Sequence, residues 1–217
     1  MVNNLNVLYE DNHIIVVLKP INVLSQADIT NDLDMLSLVK SYVKEKHNKP
    51  GNVYIGLVHR LDRMTSGVMV FARTSKAASR LNEQIRNNEF RKKYLALVEG
   101  ITLDEGEFID YLSKDEKEVK SFVVKDKNLG KLSKLKFKTQ KKGKNQSLVD
   151  IELITGRHHQ IRVQFSSHGH PLVGDVLYGS KIKKNIKLCA YYLSFLHPIS
   201  KEKMEFIKYP NWKDEEL

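Results

Sequence analysis

The sequence predicts one α+β domain in which strands predominate after residue 90. Three observations predict it. Apolar residues recur at helical spacing in three segments, while beyond residue 90 short β-prone runs alternate with turn residues. No repeat, low-complexity tract or Gly/Ser linker interrupts the 217 residues, and that length suffices for one well-filled domain.

The elements follow in order. Ile14 to Leu18 is an apolar run that reads as a buried strand ending at Lys19-Pro20. Met35, Leu38, Val39, Tyr42 and Val43 share one helical face, and that helix stops before Lys49-Pro50-Gly51. Val53–Val58 and Val68–Ala72 read as strands around a short polar break. Thr74 or Ser75 then caps a helix whose face is Ala77, Ala78, Leu81 and Ile85. Tyr94–Val98 is a strand ended by Gly100, and Lys120–Lys125, Lys134–Thr139 and Ser147–Ile154 read as a meander. Arg157 opens a helix carrying Ile161 and Phe165, with Gly169 as its stop. Leu188–Phe195 and Met204–Lys208 flank a turn, as a hairpin requires.

Composition narrows the function. Lys and Arg total 36 against 26 Asp and Glu, a net charge of +10 that favours a polyanionic partner, nucleic acid or an acidic membrane surface. Cys189 is the single cysteine, so an intramolecular disulfide is impossible and a thiolate metal cage nearly so. The N-terminus has no signal-peptide layout, and its longest apolar run is far below the ~20 residues of a membrane span. A soluble, cytoplasmic protein with no membrane contact is the expectation.

The polar break, HRLDRMTSG, sets Asp62 between Arg60 and Arg63. Such an Asp can make a turn or pair with a neighbouring Arg. Thr65, Ser66 and Gly67 also supply hydroxyls and amides that would orient a carboxylate held ionised for use as nucleophile or base. Arg157 stands where the chain changes direction, a frequent place for site residues, although a surface Arg with a weak ion pair fits equally. His158, His159, His168 and His170 lack the spacing of a helical zinc motif, so no metal is expected.

The segment KLSKLKFKTQKKGK, residues 131–144, places Lys134, Lys136 and Lys138 opposite Leu135 and Phe137 on a strand. A lysine run is often only a solvated face. With no acidic residue near it in sequence, this one is expected to track substrate phosphates, together with Lys181, Lys183, Lys184 and Lys187. Tyr94, after three cations, is either a half-buried strand residue or a ring that stacks on a nucleobase.

HRLDRMTSG resembles the HRLDxxTSG signature of RluA-type pseudouridine synthases, which modify large-subunit ribosomal RNA and some transfer RNAs. The likeness continues through Lys19-Pro20, Lys93-Tyr94, TGRHHQIRVQ…GHPLVGDVLYG and the strand around Leu188-Cys189-Ala190. Gln164 and Cys189 depart from the family's usual His. The opening strand begins within ten residues, so a short form without the N-terminal RNA-binding domain is expected.

The resemblance implies a long mixed, mostly antiparallel sheet flanked by helices and loops, with its site in a basic cleft. It implies Asp62 as the essential carboxylate, Tyr94 as the active-site ring, Arg157 as the cation paired with Asp62, and Arg60 as a contact to RNA around the extracted base. The implied reaction detaches uracil at nitrogen 1, turns it and rejoins it through carbon 5, so no cofactor is required. The implied partner is a stem-loop of ribosomal or transfer RNA, bound by a monomer. A non-catalytic RNA binder would not need Asp62, Tyr94 and Arg157 together. A nucleoside or glycoside hydrolase would want a second carboxylate.

Overall fold

The computed structural model describes residues 5–215. Its strands and helices run β1 (Asn6–Glu10), β2 (Ile14–Lys19), α1 (Met35–Lys46), β3 (Gly56–Leu57), β4 (Ser66–Ala72), α2 (Ser75–Arg86), β5 (Arg91–Glu99), β6 (Glu105–Asp115), β7 (Lys120–Val124), β8 (Lys131–Lys142), β9 (Gln146–Leu153), α3 (Gln160–Ser167), β10 (Leu188–Leu196) and β11 (Lys203–Ile207). The expected α+β class is what forms, with mostly antiparallel strands and helices flanking them. The chain divides into two compact units, Met1–Lys92 with Ala190–Lys208, and Lys93–Cys189 with Tyr209–Leu217. Two of the divisions fall inside strands β5 and β10 rather than in linkers, which is why no composition change marks them.

In the first unit the strand order is β1-β2-β4-β10, with β3 beside β4 and β11 beside β10. β2 is buried at every position but Leu18, because it lies between β1 and β4 and is covered on both faces. That explains a continuous apolar run instead of an alternating one. Ile14 and Val16 join Val68, Val70 and Ala72 of β4 and Ala77 and Leu81 of α2 in one core cluster. Both helices start on side-chain caps: Asp34 accepts from the Ser37 amide, and Thr74 from the Ala77 amide.

The strand expected over 53–58 shrinks to Gly56–Leu57, opposite Ala72 and Phe71. Beyond it, the His59 ring takes over: its Nε2 accepts the Val70 amide proton at 3.2 Å, the bond a longer strand would make. Gly67 has φ +139°, and a Cβ there would lie 2.4 Å from the Ala190 carbonyl oxygen. The backbones of β4 and β10 approach too closely for any side chain at that point.

In the second unit the order is β5-β9-β8-β6-β7, every pairing antiparallel. β6 escapes the sequence reading, because exposed Ile109 and half-buried Asp110 blur its two-residue alternation. α3 covers one face, where Phe165 packs edge-on against Phe108 and Phe137 at 5.1 and 5.6 Å between ring centroids. A buried, bidentate Arg162–Asp175 pair at 2.7 and 2.8 Å ties α3 to the segment before β10. Among the described residues no helix is long and apolar enough to cross a membrane.

Candidate active site

Asp62 lies half-buried in the tight loop between β3 and β4, and its carbonyl accepts the Thr65 amide at 2.9 Å. The loop is held through its backbone. Lys19, at the end of β2, is fully buried, and its ammonium donates to the carbonyls of Pro20, Arg63 and Thr65 at 2.9, 3.0 and 2.8 Å. Ser25 donates to the Leu61 carbonyl at 2.7 Å and accepts the Leu61 amide at 3.0 Å. The Asn22 amide adds a bond to the Arg63 carbonyl at 2.9 Å. Residues on both sides of Asp62 are thus clamped by segment 19–25, while the Asp62 side chain takes no part in the clamp bonds just described.

Burial pushes the Lys19 ammonium down to about 8, the Asp62 charge opposes that fall, and Arg63 adds to it. The attraction is mutual, so the cation that Asp62 feels within its own unit includes Lys19. Sequence reasoning missed this role. A Lys closing a buried apolar strand was the available signal, because a buried ammonium must find acceptors. Arg63 turns away to an exposed ion pair with Asp32 at 2.6 Å, and Arg60 is exposed. His59 is buried, and burial, reinforced by Lys92, pushes its pKa down to about 3. Accepting at Nε2 leaves its proton on Nδ1, which has no hydrogen-bond partner among the described residues.

In the second unit Tyr94 is 5% exposed near the start of β5. Its register partner is Ile151, which in turn faces Phe137, so its side chain shares the α3 face. Arg157 is exposed in the turn joining β9 to α3, three residues before the helix rather than opening it. Because β5 and β9 are antiparallel, this turn lies at the Tyr94 end of the sheet. Buried Gln160 organises the turn. Its Oε1 accepts from the Thr155 hydroxyl at 2.8 Å and the Arg157 amide at 3.0 Å, while its Nε2 donates to the Lys134 carbonyl at 3.2 Å. The Arg157 Nε donates to the Leu132 carbonyl at 3.1 Å.

The histidines have structural partners. His158 bonds Ser121 at 2.9 Å and stacks on His159, whose Nδ1 meets the Tyr178 hydroxyl at 2.9 Å. His159 occupies the left-handed region at φ +52°, and burial pushes its pKa down to about 2. His168 stacks on Phe108 and contacts Asp110, and His170 meets the Glu99 carbonyl.

The lysine row takes the outward face that the alternation predicts: Leu135 and Phe137 are buried, and Lys134, Lys136 and Lys138 occupy the face opposite Tyr94. Carboxylates also flank them. Lys134 pairs with Glu107 at 2.9 Å, Lys136 lies between Glu107 and Glu152, and Lys138 between Glu105 and Asp150. The acidic residues absent from the local sequence arrive on neighbouring strands, so this face carries both charges.

These features define a carboxylate-bearing loop clamped on an α+β scaffold. Residues 13–167 match the model for RNA pseudouridylate synthases, and the chain belongs to that family. The chain is 33% identical over 214 residues to ribosomal large subunit pseudouridine synthase D of Xanthomonas campestris, covering 91% of this chain and 63% of that protein. It is 35% identical over 211 residues to ribosomal large subunit pseudouridine synthase C of Buchnera aphidicola, covering 92% and 65%. The chain therefore spans a little under two thirds of the length of these relatives. Human RNA pseudouridylate synthase domain containing 1 superposes with a TM-score of 0.78 at 25% identity, over 98% of this chain and 86% of that one. Human RNA pseudouridylate synthase domain containing 4 gives 0.80 at 21% identity, over 96% and 90%, a likeness of fold alone.

Proposed function

We propose that the protein isomerises a uridine in structured RNA to pseudouridine, with Asp62 as the essential carboxylate. Ribosomal RNA of the large subunit is the first substrate to test, given what the relatives are named for, and a transfer RNA stem-loop the second. The observation that carries the reading is the Asp62 loop, clamped by Lys19 and Ser25 inside the stretch that matches the family.

The reaction breaks the bond from the ribose anomeric carbon to nitrogen 1 and makes one to carbon 5. Nitrogen 1 gains a proton and carbon 5 loses one, so atoms and electrons balance without oxidant or water. Attack on the anomeric carbon, addition to carbon 6 and proton abstraction from the sugar all ask the same of Asp62: a charged carboxylate in a fixed place. The backbone clamp supplies the fixed place, and Lys19 favours the charge. Arg157 is assigned as a second cation serving that carboxylate, Arg60 as a contact to RNA around the extracted base, and Tyr94 as the ring that stacks on it. Extrusion of the base costs a few kcal/mol in lost stacking, least where the RNA is unpaired.

The test is tritium release from RNA labelled at uracil carbon 5. An isomerase releases tritium and leaves pseudouridine in the chain; a nucleoside hydrolase frees uracil, and a binding protein does neither. Tyr94→Phe is expected to retain RNA affinity, since the ring remains. Tyr94→Ala should lose roughly 1–3 kcal/mol of binding, the usual worth of one base–aromatic stack. Titrations by fluorescence anisotropy, run below each variant's thermal midpoint, compare the two. Equal affinities for Phe and Ala variants would remove the stacking role.

A further inference from the structure

We infer that Lys144, Lys181, Lys183 and Lys184 form a preformed anion-binding surface that tracks the phosphate backbone of RNA. The inference rests on the RNA reading above and names the surface that reading leaves unassigned. Two adjoining open cavities, of about 640 and 350 Å³, share Lys184 and Lys187 in their walls. Lys183 and Asn185 line the larger, and Lys144, Asn145 and Gln146 the smaller. Lys144, Lys181, Lys183 and Lys184 are exposed and make no ion pair among the described residues. The carboxylate in the lining, Glu215, is already held by Lys187 at 2.9 Å. The contrast with the strand β8 row is direct: there Lys134 pairs with Glu107, and Lys136 and Lys138 stand in register between carboxylates on both adjacent strands.

The segment is also held in place, which a merely solvated lysine run would not need. Gly174 has φ +87°, and a Cβ there would meet the Asn185 carbonyl oxygen at 2.5 Å, so this backbone rests directly on Gly174. Ser180 bonds the Gly174 and Ile182 amides and the Glu99 carboxylate, and the Lys187 amide bonds the Val173 carbonyl at 3.0 Å. Lysines on a pinned backbone lose less freedom on binding a polyanion than those on a mobile loop. The Asn and Gln side chains between them add neutral donors suited to phosphate and sugar oxygens. Two adjoining recesses lined by Lys144, Lys183 and Lys184, with exposed Lys181 next to them in sequence, offer several cation contacts in succession, as a polynucleotide backbone requires.

The test compares wild type with Lys144→Gln/Lys181→Gln/Lys183→Gln/Lys184→Gln, using fluorescein-labelled oligouridylate across a salt series. Each phosphate contact on a single strand contributes roughly 0.7 to the slope of log affinity against log salt, so four should lower it by about 3. Lys134→Gln/Lys136→Gln/Lys138→Gln is expected to keep the wild-type slope. Parallel lines for wild type and the fourfold variant would overturn the assignment, as would an equal loss of slope in the strand variant. Loss of binding to phosphatidylserine vesicles with an unchanged RNA slope would overturn it too, and would assign the surface to a bilayer. Tritium release by wild type keeps the readings apart. Release with an unchanged slope in the fourfold variant overturns this surface alone. No release with a reduced slope supports the surface and overturns the catalytic reading.

Discussion

Asp62→Asn is expected to lower the single-turnover rate of tritium release by at least about 10⁴-fold, the scale seen when a catalytic residue is removed from a working constellation. The substitution keeps the volume and removes the charge. The loop should not move, because Lys19, Ser25 and Asn22 hold it through the carbonyls and amide of residues 61, 63 and 65 rather than through the Asp62 side chain. RNA affinity should therefore stay near that of wild type, and the thermal midpoint likewise. Residual turnover within a hundredfold of wild type would overturn the assignment of Asp62, since no pathway that needs an ionised carboxylate survives the change.

Lys19→Met should affect stability and activity together. The Pro20, Arg63 and Thr65 carbonyls each lose a bond from the ammonium. The Arg63 carbonyl keeps the Asn22 amide, while the buried Thr65 carbonyl is left unsatisfied, and such a group costs roughly 1–3 kcal/mol. A loss of about 3 kcal/mol is expected after relief of the buried ammonium, which for a protein of this size lowers the thermal midpoint by about 10 °C. Turnover should fall more than RNA affinity, because the loop loosens and Asp62 loses a neighbouring cation.

The pH dependence has a definite sign. In the folded protein Lys19 titrates near 8, below its ordinary 10.5, so between these values the unfolded chain binds more protons. Its contribution to stability is flat below about 8 and rises with pH above it, as the folded state sheds the burden of a buried charge. Urea midpoints measured on either side of pH 8 should show that rise in wild type and not in Lys19→Met. Identical pH trends in the two proteins would mean that Lys19 stays protonated, and the buried-ammonium argument would fail.

Much of the scaffold was legible because its signals are local. The helix around Val39 shows its face by spacing, and the helix after Thr74 shows both its face and its cap. β2 is legible as an unbroken apolar run. β6 was not, since its buried face carries Asp110, which reaches Gln164 at 2.7 Å and His168 at 3.1 Å. A polar residue satisfied by distant partners looks exposed in a sequence. β3 was overestimated for the converse reason: apolar Val58 is buried by packing into the core, while the ring of His59 takes over the bond to Val70.

By itself the sequence determined the chemistry on offer: a carboxylate in HRLDRMTSG, a Tyr after Lys93, an Arg before α3, and a strongly basic balance. These follow from residue identity and order, which no packing alters. Tertiary structure alone decided which groups meet across long separations. It set Lys19 under a loop more than forty residues away, and turned Gln160 into the anchor of the Arg157 turn. It also sorted the lysines. Antiparallel register brought Glu105, Glu107, Asp150 and Glu152 alongside the β8 row, while Lys181, Lys183 and Lys184 make no ion pair among the described residues and only Lys187 of that segment is held, by Glu215. The physical reason is that electrostatic fields depend on distance in space, and a folded chain sets those distances by pairing and packing that local sequence does not encode.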